Sequence, residues 1–419
     1  MKTGTLPRPQ RAAAAVRNEG ERTSERSRDG LPVGVAPRYG ADAAVLRPRR
    51  ILLLNERDLH HPQAGGAEVH CFEVYRRLAA RGDDVTLLAS AFAGAPPEER
   101  IDGIRVVRVG DRMTYYARVP AAYRRLRASA PFDVVNEQMN KFPYFARLWV
   151  REPLVIWIHH LFGRLAFRQV AAPIATATFA AEALVPRVYR GLPVAAISPS
   201  TRDELVRKGF RPQDVHVIPN AVDHARYRPG DGPRATVPTV LAVGRIEPSK
   251  RMDLLVEAIA RLPGVRLVIA GSGTGFATVQ ARIGALGVAD RVELRGFVDE
   301  DEKVRLMQTA HVFASASEKE GWGLSVLEAA ACGVPTVASD VQGLRDAVDD
   351  GVTGLLARSG DAASFARAIA RLLDDTAERT RFGRAAYERA AWFTWDATAD
   401  ATSELLEHAR CARSNGAGR

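Results

Sequence analysis

The sequence predicts an α/β protein made of two Rossmann-like, doubly wound domains that face one another across a cleft. Three observations carry the prediction. Apolar, strand-like runs alternate with amphipathic helical segments; a linker rich in proline and glycine interrupts them midway; beyond it the same pattern restarts. A length of 419 residues agrees, since it favours two domains of about 150–200 residues.

Residues 1–48 are rich in Arg, Ala, Ser, Gly and Pro without apolar periodicity and read as a disordered basic tail. Order begins at Arg50-Ile-Leu-Leu-Leu-Asn55, a continuous apolar run of the kind a buried parallel strand requires. A glycine-bearing loop, Gln63-Ala-Gly-Gly-Ala-Glu68, leads into an amphipathic helix over Glu68–Arg81, and Asp84–Ala89 is the next strand. Strands over Ile104–Val109, Val134–Asn136, Leu154–Ile158, Val194–Ile197 and Val215–Ile218 complete a first domain at residues 49–228. The stretch from Arg228 to Pro238 collects three prolines and two glycines, so residues 229–238 are read as a linker.

In the second domain, residues 239–391, Thr239–Val243 is a strand and Ser249 is the expected N-cap of a helix carrying Leu254, Leu255, Ala258, Ile259 and Leu262. Val265–Ala270, Val292–Leu294, His311–Ala314 and Pro335–Ala338 are further strands. Residues 392–410 hold a last helix, from Trp395 to about His408, and 411–419 a tail. Two such halves leave a cleft at the carboxyl ends of both sheets, where ligands belong.

Hydrophobic residues make up 46% and charged residues 26%, which excludes collagen-like, coiled-coil and wholly disordered chains. The net charge of +10 is unevenly spread: residues 1–50 carry +6, residues 100–170 carry +8, and the remainder is net acidic. Basicity confined to a tail and one region, with no recognition helix or RNA-binding fingerprint, argues against nucleic acid as a partner. Cys71, Cys332 and Cys411 are too few and too scattered for a disulfide framework or zinc site, which fits a reducing cytoplasm. The chain opens with no secretory apolar core. Its most apolar stretch, Val170 to Pro186, contains Pro173, threonines and Glu182, short of a spanning helix.

The segment richest in chemistry is Ser317-Glu-Lys-Glu-Gly-Trp-Gly-Leu-Ser-Val-Leu-Glu-Ala-Ala-Ala-Cys-Gly-Val-Pro335. Glu320 lies in a glycine-bearing loop, and Glu328 early in a helix ended by Gly333 and Pro335. Glycines let a backbone approach a ligand, and a helix N-terminus offers free N–H groups, so an anionic, hydroxyl-rich ligand suits the place.

This segment resembles the E-x7-E element of retaining glycosyltransferases of family 4, which have the GT-B fold. Val243-Gly-Arg-Ile-Glu-Pro-Ser-Lys250 resembles the family's Gly-Arg…Lys stretch, Val217-Ile-Pro-Asn-Ala-Val-Asp223 its I-P-N-G-V-D, and Gly65-Gly66-Ala-Glu its first-loop G-G-A-E. The likeness spans about Ile51 to His408. It implies that Arg245 and Lys250, with Gly244, hold a donor diphosphate; that Glu328 accepts hydrogen bonds from the ribose hydroxyls; and that Glu320 meets a sugar hydroxyl near the amides of Gly323 and Leu324. It also implies that Gly65 and Gly66 border the phosphate, that His159 lies near the donor sugar, and that Phe297 and Val298 border the nucleobase. The implied reaction moves a hexose from a UDP- or GDP-linked donor to an acceptor hydroxyl with retention, without a metal or other cofactor. The last helix is implied to cross back onto the first domain.

The residues also admit plainer readings. Ser325-Val-Leu-Glu328 fits a capping box, in which Glu328 only bonds backbone N–H groups. Arg245 and Lys250 fit solvated charges, His160 competes equally with His159, and either histidine fits a satisfied core residue. Gly271-Ser-Gly-Thr-Gly275 superficially matches a dinucleotide loop, but Phe276 breaks G-x-G-x-x-G. Arg118, Arg124, Arg125, Arg127, Lys141, Arg147 and Arg151, interleaved with Met139, Phe142, Phe145, Leu148 and Trp149, form either solvated helix faces over a core or a patch for an anionic leaflet at the inner face of the membrane. Such a patch would receive a lipid-linked acceptor. The rival functions are a non-catalytic nucleotide-sugar-binding protein and a GT-B-fold epimerase; a phosphorylase would need a pyridoxal lysine site.

Overall fold

The computed structural model describes residues 47–140, 142–161, 163, 167 and 171–416; nearly all of the tail predicted over residues 1–48 lies outside them. The run Arg50–Leu54 is strand β1, buried from Ile51 onward. Its side chains alternate between two cores. Ile51 and Leu53 share one with Cys71, Tyr75 and Leu78 of helix α1 (Gly66–Ala80), and Leu52 and Leu54 share the other with Tyr115, Val119 and Tyr123 of α2 (Tyr115–Ser129). Cover on both faces explains why the run is continuously apolar, and burial of each such side chain contributes about 1.5–3 kcal/mol.

The first sheet continues with β2 (Asp84–Ala89), β3 (Glu98–Ile101), β4 (Ile104–Arg108), β5 (Val134–Met139), β6 (Leu154–Ile158), β7 (Val194–Ala196) and β8 (Val215–Val217). Their order is β3-β4-β2-β1-β5-β6-β7-β8, parallel except for β3 on β4. A second, wholly parallel sheet contains β9 (Thr239–Val243), β10 (Arg266–Ala270), β11 (Val292–Gly296), β12 (Val312–Ser315), β13 (Thr336–Ser339) and β14 (Gly354–Ala357), ordered β11-β10-β9-β12-β13-β14. Each sheet reverses its winding, at β1/β5 and at β9/β12, so ligand crevices open at the carboxyl ends there. These are the two doubly wound sheets the sequence predicts. Strands β3 and β14 add to it: one is a charged edge strand, the other starts at a glycine, and neither has a long apolar run.

Ser249 does not cap a helix. Pro248–Lys250 forms a single 3-10 turn, Arg251 takes the left-handed conformation (φ 48°), and α-helix starts only at Met252. Proline favours the first position of a helical turn, which sets the 3-10 start. The guanidinium of Arg251 binds Asp253 (3.1 Å) and Glu318 (3.5 Å), holding the kink. The last helix, Trp395–Gly416, is longer than predicted and packs along α1. Arg77 of α1 and Arg81 at its C-cap reach Asp396 and Asp400, Arg49 reaches Ser403, and Leu405, Leu406 and Ala409 are buried. The C-terminal helix thus crosses back to the first domain. Among the described residues, no helix is long and apolar enough to cross a membrane.

Of the basic-apolar set, Lys141 lies outside the described residues, and the apolar members resolve mainly into the core reading. Met139 is buried; Phe142, Phe145 and Trp149 are half-buried against Tyr116, Tyr189 and Tyr123; among those five apolar residues Leu148 alone faces out. Strand β5 runs past its predicted end because its polar residues are buried too. The Glu137 carboxylate accepts from the N–H groups of Tyr144 (2.9 Å) and Ala146 (3.2 Å) and from the Tyr189 hydroxyl (2.7 Å). Phe145, between those two amides, adopts φ 51°, which curls the loop around the carboxylate.

Burial pushes the Glu137 carboxyl up to about 7, against the opposing hydrogen bonds. A carboxyl raised in the folded state stabilises most below its unfolded value and loses that contribution as pH rises through the folded one. The destabilisation caused by Glu137→Gln should therefore shrink between pH 5 and pH 8, on the order of 2 kcal/mol, in urea titrations. A pH-independent difference would contradict this.

Candidate active site

The site forms where loops from the carboxyl ends of both sheets meet. On the first side, the β1–α1 loop brings Gly65 and Gly66 to the start of α1, and the Glu68 carboxylate accepts from the Gly65 N–H at 2.7 Å. Arg245, exposed in the loop after β9, points across at this turn: a methyl group placed on Gly65 would lie 3.9 Å from its guanidinium carbon. One on Gly66 would lie 3.6 Å from the Leu324 side chain. Arg245 also opposes the rise that burial causes in the Glu68 carboxyl.

On the second side, the loop after β12 carries Glu320. Its carboxylate is paired with Lys250 Nζ and accepts from Ser317 Oγ at 2.7 Å. Burial works against its charge, but Lys250 and Ser317 outweigh it and hold the carboxyl below its usual range. The 3-10 turn and the left-handed Arg251 place Lys250 there. Next in sequence, Lys319 crosses to the first domain, where it binds the Leu161 carbonyl (2.7 Å) and Glu204 (2.9 Å) of helix α4 (Pro199–Arg207); helix α3 (Ala172–Val188) precedes α4. A methyl group on Gly321 would fall 2.4 Å from the His159 carbonyl oxygen, so glycine is required for this approach.

The two histidines part company. His159 Nε2 is 3.0 Å from Gln138 Oε1, and its ring packs against His70 in the interior. His160 lies in the field of Lys319, Glu320, Lys250 and Glu204; burial first, then the lysines, lower its pKa to about 4.

Helices α5 (Met252–Ala260) and α6 (Phe276–Leu286) flank the second sheet, followed by α7 (Glu300–Thr309) and α8 (Leu324–Ala331). The capping-box reading of Glu328 fails. The N-cap of α8 is Gly323, left-handed at φ 93°, and Glu328 lies a turn further on, too deep to reach back to it. Its carboxylate instead pairs with Lys303 Nζ of α7 at 3.2 Å, and Lys303 also pairs with Glu300 at 2.9 Å. Burial, then Glu300, raise the Glu328 carboxyl, while Lys303 opposes them. Phe297, 83% exposed, and Val298 precede α7.

The Gly271–Gly275 loop has a packing reason for its glycines. Methyl groups on Gly271 and Gly273 would fall 1.9 Å and 2.5 Å from the carbonyl oxygens of Gly244 and Ile246. The loop's backbone bonds Ile246 at both edges, Ile246 N–H to Ser272 and Gly275 N–H to Ile246, which braces the turn carrying Gly244 and Arg245. Among the described residues there is no group of three or more His, Cys, Asp or Glu placed to hold a metal ion.

Thus Gly65, Gly66, Arg245 and Leu324 come together across the cleft, and Lys250 joins Glu320. The sequence reading missed Ser317, Lys319, Glu204, Lys303 and Tyr227, whose hydroxyl donates to Glu300 beside Lys303. Nothing in the local pattern of Asp299-Glu-Asp-Glu-Lys303 says that its lysine faces a carboxylate 25 residues on.

The family model of glycosyl transferases group 1 matches residues 223–389, and that of glycosyltransferase family 4 matches residues 64–226. The chain is 30% identical to a D-inositol 3-phosphate glycosyltransferase of Salinispora tropica, over 91% of this chain and 92% of that one. It is 31% identical to the enzyme of that name in Mycobacterium marinum, over 94% and 91%. Among solved structures, sucrose-phosphate synthase from Thermosynechococcus elongatus superposes with TM-score 0.76 at 24% identity, covering 87% of this chain and all of that one. WaaG, a glycosyltransferase involved in lipopolysaccharide biosynthesis, gives 0.69 at 17% identity over 85% and 99%. HepE of Anabaena, solved with UDP and glucose, gives 0.69 at 19% over 86% and 100%. At these identities the structural likeness carries the fold, which is GT-B.

The electrostatics of the cleft give a direct test. In NMR of histidine-labelled protein, His160 should titrate near 4 and stay neutral through pH 6–8. Glu320→Gln should move it lower still, because Glu320 is a group that favours its charged form. A midpoint near 6.5 would contradict the burial of this ring.

Proposed function

The chain belongs to the family 4 glycosyltransferases, and on that premise we propose that it moves a hexose from a UDP- or GDP-linked donor to an acceptor hydroxyl with retention of anomeric configuration. The observation that carries the reading is the Lys250–Glu320 pair seated where both domains meet, with Arg245 reaching across to Gly65.

As the glycosidic bond breaks, the sugar gains oxocarbenium character and the leaving diphosphate becomes more negative. Arg245 and Lys250 neutralise that charge, aided by the first amides of α8 at Gly323 and Leu324. Glu320, held ionised by Lys250, accepts from hydroxyls of the donor sugar and fixes its pose. Its pairing with Lys250 suits this role better than that of a covalent nucleophile, so we assign it none. The leaving phosphate takes the acceptor's proton on the same face. His160, neutral and beside Glu320, is the sugar-side histidine in this account, while His159 supports the donor loop through its carbonyl against Gly321. Glu328 accepts from the ribose hydroxyls, and exposed Phe297 with Val298 borders the base. The two lysine- and arginine-borne charges do the electrostatic work a divalent cation would otherwise do. Lys319 and Gly321 close the domains over the donor, and excluding water favours transfer over hydrolysis.

The acceptor lies on the first domain. The relatives' names point to a polyol phosphate, but one observation favours a lipid-linked acceptor. Helix α3 is apolar on both faces: Ala175, Ala181 and Val185 are buried with Glu182, which accepts from the Gly163 N–H at 2.8 Å, while Ile174, Phe179 and Leu184 face outward. Arg187 and Arg190 follow at its end, and exposed Arg147, bonded to the Arg190 carbonyl, stands beside Leu148 at 73% exposure. An apolar face with a basic rim fits an anionic leaflet.

Assay of a UDP- and GDP-hexose panel by nucleotide release should select one donor and survive EDTA. The Arg245→Ala/Lys250→Ala double variant should lose at least about 100-fold in kcat/KM, and Glu328→Gln should raise donor KM. Retained activity in the double variant, or activity abolished by EDTA and restored by manganese, would overturn the reading. For the acceptor, Ile174→Asp/Leu184→Asp should abolish flotation with phosphatidylglycerol vesicles and leave donor hydrolysis intact; transfer to D-inositol 3-phosphate in the absence of lipid would decide for the soluble acceptor.

A further inference from the structure

We propose that Lys303 is a positioning residue for donor recognition, which keeps Glu328 ionised and turned toward the ribose. The inference rests on the reading of Glu328 as the ribose acceptor. It deepens that reading by naming the group that makes a buried carboxylate usable.

Glu328 and Lys303 are both nearly enclosed, with side-chain exposures of 9% and 14%. Lys303 projects from α7 into a niche with a carboxylate on either side, Glu328 Oε1 at 3.2 Å and Glu300 Oε1 at 2.9 Å. The ring of Tyr227, at the edge of the interdomain linker, lies beneath it, with Nζ 5.2 Å from the ring centroid. The Tyr227 hydroxyl donates to Glu300 Oε2, closing the niche from the linker side. Three groups therefore converge on one ammonium, and that ammonium occupies only one oxygen of Glu328.

The charges around Glu328 are then Lys303 and Glu300 from α7, Tyr227 from the linker, and Cys332 at the end of its own helix, whose thiol burial first and Glu328 second push up to about 12. Of these, burial and Glu300 disfavour a charged Glu328, and Lys303 favours it most. A ribose needs a carboxylate that accepts from two neighbouring hydroxyls. A protonated carboxyl has one acceptor oxygen fewer and points a hydrogen at the ligand. Replacing Lys303 leaves the enclosed Glu328 beside a second carboxylate, Glu300, whose side chain is half exposed, so Glu328 is the one that holds its proton toward neutral pH.

Binding of the nucleoside diphosphate of the active donor (UDP or GDP) and of its 2′,3′-dideoxy analogue, measured by calorimetry at pH 6.5 and pH 8.5, tests this. In the wild type the dideoxy compound should bind more weakly at both pH values. In Lys303→Met the preference for the natural ribose should collapse at pH 6.5, by about 10-fold, and return at pH 8.5. Kcat at saturating donor should change little. Lys303→Arg should keep the preference, and adding Glu300→Gln to Lys303→Met should restore it at pH 6.5. A purely structural loss would weaken both ligands equally and would not answer to pH. Glu328→Gln serves as the reference: if it keeps the preference, the ribose reading itself fails. If it loses the preference while Lys303→Met keeps it at both pH values, the role of Lys303 fails alone.

Discussion

The ion pair between Lys250 and Glu320 is the contact on which the rest of the cleft depends. Neither partner is placed by its own element. Lys250 stands in a 3-10 turn made possible by Pro248 and by the left-handed Arg251, and Glu320 in a loop pinned by Ser317. An enclosed carboxylate is costly unless paired and hydrogen-bonded. Here both requirements are met within the second domain, so the charge is ready before any ligand arrives.

From that pair outward, the cleft is built of close backbone approaches. Gly321 lies against the His159 carbonyl, Gly343 against the Glu320 carbonyl, and Gly271 and Gly273 against the strand-end turn that bears Arg245. Lys319 then ties the same loop to Glu204 and the Leu161 carbonyl of the first domain. The loop that carries Glu320 thus also makes the contact between the domains. On the proposed function, closing the domains over the donor would bring this loop into place and exclude water in the same step.

The fold was legible in the sequence because its strands are buried on both faces. Runs such as Ile51–Leu54 and Leu267–Ala270 carry no helical period and are bounded by turn residues. Where burial is achieved with polar groups, as at Glu137 in β5, or where an edge strand is charged, as at Glu98–Ile101, the same reasoning stops short. The candidate site was legible through motif residues close in sequence, Arg245 with Lys250 and Glu320 with Glu328, the last of these in helix α8. Its supporting partners were not. Lys303, Tyr227 and Glu204 reach their carboxylates and ammonium from other elements, and only tertiary packing brings them there. The choice between His159 and His160 is of this kind, because adjacent residues on a strand end face opposite sides. The net charge of the first domain likewise misled about where apolar side chains emerge; they do so on α3, whose Glu182 is turned inward while Arg187 stays exposed.

The account's central claim is that the diphosphate of a nucleotide sugar sits against Arg245 and Lys250 at the junction of the domains. A crystal structure of the protein soaked with its nucleoside diphosphate tests this most directly. The account predicts diphosphate oxygens within about 3 Å of both side chains, with the ribose on Glu328. A diphosphate cradled instead by the Gly271–Gly275 loop, away from Arg245 and Lys250, would contradict it.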